Sequence, residues 1–517
     1  MTLPGRPAVA LALIALVTLG ARFSALPFSG EDRLTPDGAR FLNLARSVER
    51  GLGYVTPEAW PAWLNPVALP SPETFKEPGY PYAVAAFTPV TRNPFRAGQW
   101  VSLWAGLLLP FAIWALVRAI EDDPSVATLA GLLAAASPVL IRQSVYVMAE
   151  SLFALLVTVA LALAALRPRA GPQAWTAAAG AGLVLGLAWL VRAQALLAVP
   201  AMLGLLAAQR PVRLGLSRAA VALAAGLLAL TPWLLRNIRL FGDPFHSDVA
   251  AFAIWPYVDT FAFSHGLDHP PSPFGFVLTH PAEVVRHTLS SVKHFGWHTL
   301  PHDLLGSRIW LVPFAIGAAL ALGRLRAWWP LLAFAALTCA LLFPLNWVAR
   351  YFVATAPVAC ALTALGACWL LRGEGSRLVF GPLKTGSLAA IGIATLLALG
   401  CVEAVRSTGD TYRPELEAAR ALGPDLKARL APGEAIMADV TSYWAWATDR
   451  PAVHPMIAEE PRLREITRRL RVRYAVFTPV FEREYAARLP ERRLPAWFVP
   501  RADDARTGTR LYEVRPD

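Results

Sequence analysis

The chain has 517 residues, of which 56% are hydrophobic and only 16% charged, against roughly a quarter charged in an ordinary soluble domain. With a mean hydropathy of +0.44, no soluble multidomain arrangement could bury this much leucine, alanine and valine, so the bilayer is the expected solvent. The formal charge of +12 calls for no nucleic-acid partner, because most of it falls in one set of short loops between apolar segments.

Apolar runs of spanning length lie near 8–27, 98–118, 125–142, 150–166, 174–191, 193–208, 218–236, 308–323, 327–346, 351–371 and 387–404, about eleven in all. The pair around 174–208 is interrupted by Arg192 and reads as tilted or re-entrant. The first run could be a secretory signal, but Arg22 interrupts it late and no small-x-small cleavage site follows. With the N-terminus cytoplasmic, Arg118, Arg167, Arg169, Arg210 to Arg218, Arg324, Arg326 and Arg372 to Lys384 all fall inside. Segments 28–97 and 237–307 and the tail then lie outside.

The first outer segment opens with Asp37-Gly38-Ala39-Arg40-Phe41, a short helix that carries Phe41, Leu44, Ala45 and Val48 on one face and should lie flat on the membrane. Asp37 at its start reads either as its N-cap or as a general base beside the outer leaflet. A proline-rich stretch from Pro57 to Pro72 follows, an ordered surface loop without chemistry of its own. Phe75-Lys76-Glu77-Pro78-Gly79-Tyr80-Pro81-Tyr82 then leads into a second short helix, Ala83 to Thr88, with Lys76 and Glu77 at its mouth.

A further acid, Glu150, stands at the outer start of a span, where an ionisable residue is a functional candidate, or else a structural partner of Arg142. Basic residues also break the inside rule at the outer ends of spans: Arg142, Arg192, Arg236, Arg308 and Arg350. Each alone reads as snorkelling. Together with Lys76 they suit an anionic ligand, since the guanidinium fork binds phosphate oxygens bidentately.

Eight of the nine histidines lie in the second outer segment: His246, His265, His269, His280, His287, His294, His298 and His302. A surface helix over Val292 to Leu300 would put His294 and His298 at i and i+4, compatible with a shared metal or simply with a wet interface. Cys339, Cys360, Cys368 and Cys401 fall inside spans and read as packing residues.

Beyond about 405 the composition is that of a soluble domain, with helices over Pro414 to Leu430 and Glu459 to Arg471 and strands over Glu434 to Val440, Arg473 to Pro479 and Thr509 to Val514. The expected fold is mainly α: a polytopic helical bundle, 1–404, carrying a small extracytoplasmic α/β domain, 405–517. No catalytic constellation is evident in that domain, His454 and Asp439 included.

The order of several motifs resembles the GT-C superfamily of membrane glycosyltransferases, on the branch of protein O-mannosyltransferases and lipid A aminoarabinose transferases. The motifs are Asp37-x-x-x-Phe41, Lys76-Glu77-Pro78, Ser137-Pro138 with Glu150, and Gly186 to Arg192. Pro232-Trp233-Leu234-Leu235-Arg236-Asn237, Phe241-Gly242-Asp243-Pro244 and Arg350-Tyr351 with Pro357 complete the series, over about 8–371. The resemblance implies a polyprenyl-phosphate sugar donor used at the extracytoplasmic face of the cell (inner) membrane, an acceptor that is protein, lipid or glycan, and catalysis by Asp37 with Glu150. It gives Lys76, Glu77, Tyr80, Arg192, Arg236, Arg350 and Tyr351 as substrate-binding residues. It also implies a loop histidine brought toward a divalent metal ion near the first-loop acid; here Glu77 or Glu150 would hold that ion with one of the loop histidines, His294 and His298 being the pair at metal spacing. Many relatives carry a second acid where this chain has Gly38, and some have Glu before Lys where it has Lys76-Glu77. The alternative class, a transporter or flippase for an anionic or lipid-linked solute, predicts paired repeats and mid-membrane polar groups, which the sequence lacks.

Overall fold

A computed structural model describes residues 7–61, 66–166, 171–209, 211–249, 256–257, 273–345, 348–372, 413–504 and 507–516. Prolines and caps set most helix starts, because a first-turn proline has the right φ and lacks only an N–H that has no partner there. The helices run α1 (Pro7–Ala25), α2 (Pro36–Glu49), α3 (Gly79–Thr91), α4 (Pro94–Ile120), α5 (Pro124–Ala136), α6 (Pro138–Val145), α7 (Glu150–Ala165), α8 (Pro172–Val191), α9 (Val199–Ala207) and α10 (Val212–Phe241). After α10 come α11 (Pro273–Thr279), α12 (Pro281–His294), α13 (Leu311–Gly323), α14 (Leu325–Leu345) and α15 (Ala356–Arg372). The side chains of Asn93 and Asp123 accept from Arg96 and Ser125 backbone N–H at 3.1 and 2.9 Å, capping α4 and α5.

The chain is an integral membrane protein. Among the described residues, six helices are long and apolar enough to cross a bilayer, or up to eight if two bent pairs each count as one span. The bent pairs are Pro124–Ala136 with Pro138–Val145, at 55°, and Pro281–Leu304 with Arg308–Gly323, at 108°. The expected runs at 150–166 and 193–208 are shorter apolar helices, and that at 387–404 lies outside the described residues. At 16 residues, α7 reaches about 24 Å, less than the ~30 Å hydrocarbon core.

Small residues let helices cross closely where lipid supplies no hydrophobic drive for association. A Cβ on Gly182 of α8 would come within 1.8 Å of the Ala222 carbonyl oxygen on α10, and one on Gly317 of α13 would meet the Leu362 oxygen of α15 at 1.8 Å. Gly182→Leu must therefore push α8 and α10 apart. Its thermal unfolding in detergent should show a loss on the order of 1–3 kcal/mol or more, and an unchanged midpoint would contradict this packing.

The C-terminal region and one strand from the first loop segment form a six-stranded sheet in the order β2-β5-β4-β6-β8-β7. Its edge strand β2 (Glu58–Ala59) comes from the first outer segment, whose β1 (Val55–Thr56) and β3 (Ser71–Pro72) pair with each other. The other strands are β4 (Ala435–Ala438), β5 (Ala452–Val453), β6 (Val472–Phe477), β7 (Phe498–Asp503) and β8 (Arg510–Val514). β2, β5, β4 and β6 are parallel, and β8 and β7 antiparallel. The proline-rich stretch is thus partly a strand of the distal domain, a correction to its reading as a surface loop.

One face of the sheet, with Ile436, Ala438, Val476 and Leu511, shares a core with α16 (Arg413–Arg429), α17 (Thr441–Thr448) and the membrane bundle. The other, with Met437, Phe477 and Tyr512, packs on α18 (Glu460–Arg469) and α19 (Pro479–Arg488). The five elements expected in the tail are all present; α17, β5, α19 and β7 are additional.

Helix α2 does not lie with one wet face on the membrane, as its pattern suggested. Residues Gly38 to Ala45 are all buried, because α17 covers the face that would meet water. Asn43 Nδ2 donates to the Ser442 carbonyl at 3.0 Å, and the Tyr443 hydroxyl to that of Leu34 at 2.7 Å. Arg46 of α2, Arg50 just after it and Lys427 of α16 converge on Asp449 at 3.2, 2.8 and 3.4 Å.

Glu415 of α16 is buried and accepts from Trp444 Nε1 at 3.0 Å. Burial first, and Asp439 second, push its pKa up to about 7. Between about pH 4.5 and pH 7 the folded chain therefore holds a proton that the unfolded chain has released, and stability falls as pH rises through that window. Glu415→Gln should remove a fall of roughly 3 kcal/mol. The check is the unfolding temperature of both proteins from pH 4 to 8; parallel curves would contradict it.

Candidate functional site

The site forms where four backbone breaks meet at the end of the bundle beneath α2. Thr35, not Asp37, caps α2: its hydroxyl accepts from Gly38 N–H at 3.0 Å. This corrects the capping role considered for Asp37 and leaves its carboxylate for other partners. Lys76 Nζ lies 2.7 Å from Asp37 Oδ1, and Arg350 Nη1 lies 2.8 Å from Oδ2. The Asp37 side chain stays 25% exposed, so the acid is clamped yet open to a ligand. Burial raises its pKa, but Lys76 and Arg350 together outweigh that and hold the carboxyl well below its usual range.

Arg192 sits where α8 ends. Its backbone is extended (φ −155°, ψ 129°) before a 3-10 turn, Ala193–Ala198. The break aims its guanidinium at Glu150, Nη2 to Oε1 at 2.6 Å, so the acid pairs with Arg192 and not with Arg142. Glu150 is buried at the first turn of α7, and among the described residues no hydrogen-bond partner reaches its Oε2 or the Nε of Arg350. Arg350 and Tyr351 come from a 3-10 segment, Ala349–Thr355, that precedes α15. The guanidiniums of Arg192 and Arg350 lie 5.3 and 5.1 Å from the Tyr351 ring centroid. Asp37, Lys76, Arg350, Tyr351, Arg192 and Glu150 thus form one cluster.

Glu77 joins it through the backbone: its Oε1 accepts from Ala193 N–H at 3.0 Å, tying the lysine loop to the end of α8. Burial raises its pKa, with the bond from Ala193 acting against that. Gly79 makes this contact possible, since a Cβ there would lie 2.8 Å from the Leu190 oxygen. Gly38 is equally confined, a Cβ meeting the Val147 oxygen at 2.9 Å. The backbone of 147 thus takes the space that a second acid next to Asp37 would need.

Other expected residues are placed elsewhere. Tyr80 is fully buried, its hydroxyl 2.9 Å from the Gly98 carbonyl and 2.8 Å from Ser102 Oγ, which makes it a packing residue and not a ligand contact. Arg236 donates to Asn237 Oδ1 at 2.9 Å and to the carbonyls of Glu73 and Tyr54 at 2.9 and 3.3 Å. It therefore holds the loop from behind, and its place among substrate contacts is corrected to that. Arg308 donates to His302 Nε2 at 3.1 Å.

His294 closes α12, and a π-helix, Phe295–Leu304, carries His298 and His302, so that the rings of His294 and His298 stack 5.0 Å apart. Among the described residues no three His, Cys, Asp or Glu side chains are placed to share an ion. Asp37 and Glu150 face cations, and Glu77 faces a backbone N–H. His265 and His269 lie outside the described residues.

The sequence reading missed Arg40, Glu73 and Tyr54. Arg40 Nη2 lies 3.0 Å from both oxygens of Glu73, and both side chains are buried. Glu73 Oε1 also accepts from the backbone N–H of Phe75 and Lys76, at 2.6 and 3.0 Å. The Tyr54 hydroxyl is 2.9 Å from the carbonyls of both Lys76 and Glu77. One signal was available: Arg40 stands one turn after Asp37 on the same helix.

Residues 72–235 match the Dolichyl-phosphate-mannose-protein mannosyltransferase family, a range that includes Lys76, Glu77, Glu150 and Arg192. A search of the curated proteins finds no match. Among solved structures, the archaeal oligosaccharyltransferase AglB from Archaeoglobus fulgidus, in complex with an inhibitory peptide and a dolichol-phosphate, is similar with a TM-score of 0.61 at 15% identity, over 98% of this chain and 74% of that one. ArnT from Cupriavidus metallidurans, bound to undecaprenyl phosphate, gives 0.59 at 14% identity over 98% of both chains. The arabinofuranosyltransferase AftD from Mycobacteria gives 0.53 at 15% identity, over 99% of this chain and 42% of that one. The family match thus covers residues 72–235, and along its whole length the chain shares the fold of these solved membrane transferases.

Proposed function

We propose that the chain moves a sugar from a polyprenyl-phosphate donor to an acceptor hydroxyl at the extracytoplasmic face of the cell membrane, with Asp37 as general base. The observation that carries this reading is the paired clamp on Asp37: a half-open carboxylate between Lys76 and Arg350, with Arg192 next to it. Cations grouped at a helix end, with an unpartnered Arg350 Nε among them, suit a lipid phosphate whose tail remains in the bilayer. The positive-inside pattern of the short loops supports the orientation.

In the reaction the acceptor oxygen attacks the anomeric carbon, and the bond from that carbon to the phosphate oxygen breaks with its electron pair leaving on the phosphate. The hydroxyl proton passes to Asp37. Lys76, Arg350 and Arg192 neutralise the charge that develops on the departing phosphate, help usually worth several kcal/mol. A single displacement with base and leaving group on opposite sides inverts the anomeric centre, as in inverting glycosidases. Glu150 keeps Arg192 oriented through its Oε1.

The test is incubation of the purified protein with radiolabelled polyprenyl-phosphate sugars and a membrane extract. Label should leave the lipid for one acceptor class, with the anomeric configuration of the product opposite to that of the donor. Label that stays on every donor tested, or a retained configuration, would overturn the reading.

A further inference from the structure

We propose that the buried Arg40–Glu73 ion pair is a positioning device that fixes Lys76 against Asp37; its functional consequence rests on the reading of Lys76 as a phosphate ligand. A lysine ammonium rides on a flexible four-carbon stem, so its placement depends on how firmly its backbone is held. Here the hold is a side chain. Glu73 Oε1 accepts from the N–H groups of Phe75 and Lys76 at 2.6 and 3.0 Å, folding the chain tightly just before the lysine.

Arg40 holds Glu73 in turn, with Nη2 at 3.0 Å from both carboxylate oxygens and its guanidinium 5.1 Å from the Phe75 ring centroid. Arg40 is three residues after Asp37 on α2, so one rigid helix carries both the acid and the anchor of its partner. The carbonyl side of the same loop is held by Arg236 and the Tyr54 hydroxyl. Burying such a pair costs several kcal/mol in desolvation, so net stabilisation is a poor explanation for it, and a fixed geometry is a better one.

The test is Glu73→Gln, which keeps the volume and one acceptor oxygen but removes the charge under Arg40. In the wild-type protein an amine-directed acylating reagent should modify Lys76 slowly, because its ammonium is paired and 16% exposed. In Glu73→Gln, modification measured by mass spectrometry should be about tenfold faster, and affinity for undecaprenyl phosphate in nanodiscs about tenfold weaker. Introduced into Lys76→Ala, the same change should weaken that affinity no further. An unchanged acylation rate, or affinity losses that add, would overturn the proposal. Should Lys76→Ala bind the lipid phosphate as the wild type does, the phosphate reading falls, and the acylation rate alone still decides the positioning role. Arg40→Gln, which keeps a donor but removes the charge over Glu73, covers a failure of Glu73→Gln to fold: its Lys76 should react several-fold faster than in the wild type, and an equal rate would overturn the proposal.

Discussion

Asp37→Asn should bind polyprenyl phosphate at least as tightly as the wild-type protein while transferring sugar on the order of a hundred to ten thousand times more slowly. The two effects have one origin. Asp37 occupies Lys76 and Arg350, at 2.7 and 2.8 Å, and a lipid phosphate would have to share those cations with it. An amide of the same shape removes the competing charge and with it the proton acceptor. Because the two cations hold the Asp37 carboxyl well below its usual range, the wild-type enzyme should show no acid limb from this group between about pH 5 and 8. Lys76→Met should bring that limb upward in pH. Lipid-binding titrations and rate measurements on the same preparations check both statements; near-normal turnover in Asp37→Asn would remove it from catalysis.

Arg192→Ala should be the most destabilising single change at the site. Glu150 is 1% exposed, and loss of its partner leaves a buried carboxylate without a counter-charge, an error of about 3–5 kcal/mol. The double variant Arg192→Met with Glu150→Gln removes both charges at similar volume and should recover most of the folded protein without recovering transfer, since the phosphate still lacks a cation. Unfolding temperatures separate the two effects. If the double variant regains wild-type turnover, the pair is structural and Arg192 has no part in binding the donor.

Much of this site could be read from the chain because ionisable residues are few in an apolar sequence. Glu150, Arg192 and Arg350 stood out at the ends of apolar runs and Asp37 and Lys76 in the segment between the first two, and the structure brings them together. Pairings were less legible: Arg142 is eight residues from Glu150, but the break after Val191 sends Arg192 to it instead. Tyr80 and Arg236 were given to the ligand because composition cannot tell a donor that meets solvent from one satisfied by a carbonyl. Helix α2 showed a single apolar face because the rest of its surface is covered by α17, about 400 residues later in sequence, with polar contacts such as Asn43 to Ser442. The strand at Glu58–Ala59 was hidden for the same reason: two residues carry no alternation to read, and its pairing lies with Ala452–Val453. The histidine-rich segment offered i and i+4 spacing, and the π-helix does stack the rings of His294 and His298, but among the described residues no third ligand joins them.

The most direct test is a cryo-electron microscopy structure of the protein in nanodiscs with undecaprenyl phosphate. The phosphate is expected within hydrogen-bonding distance, about 3 Å, of Lys76 and Arg350, on the side of those cations away from the Asp37 carboxylate, with its tail running between membrane helices. A phosphate bound elsewhere, with both ion pairs to Asp37 intact, would contradict this.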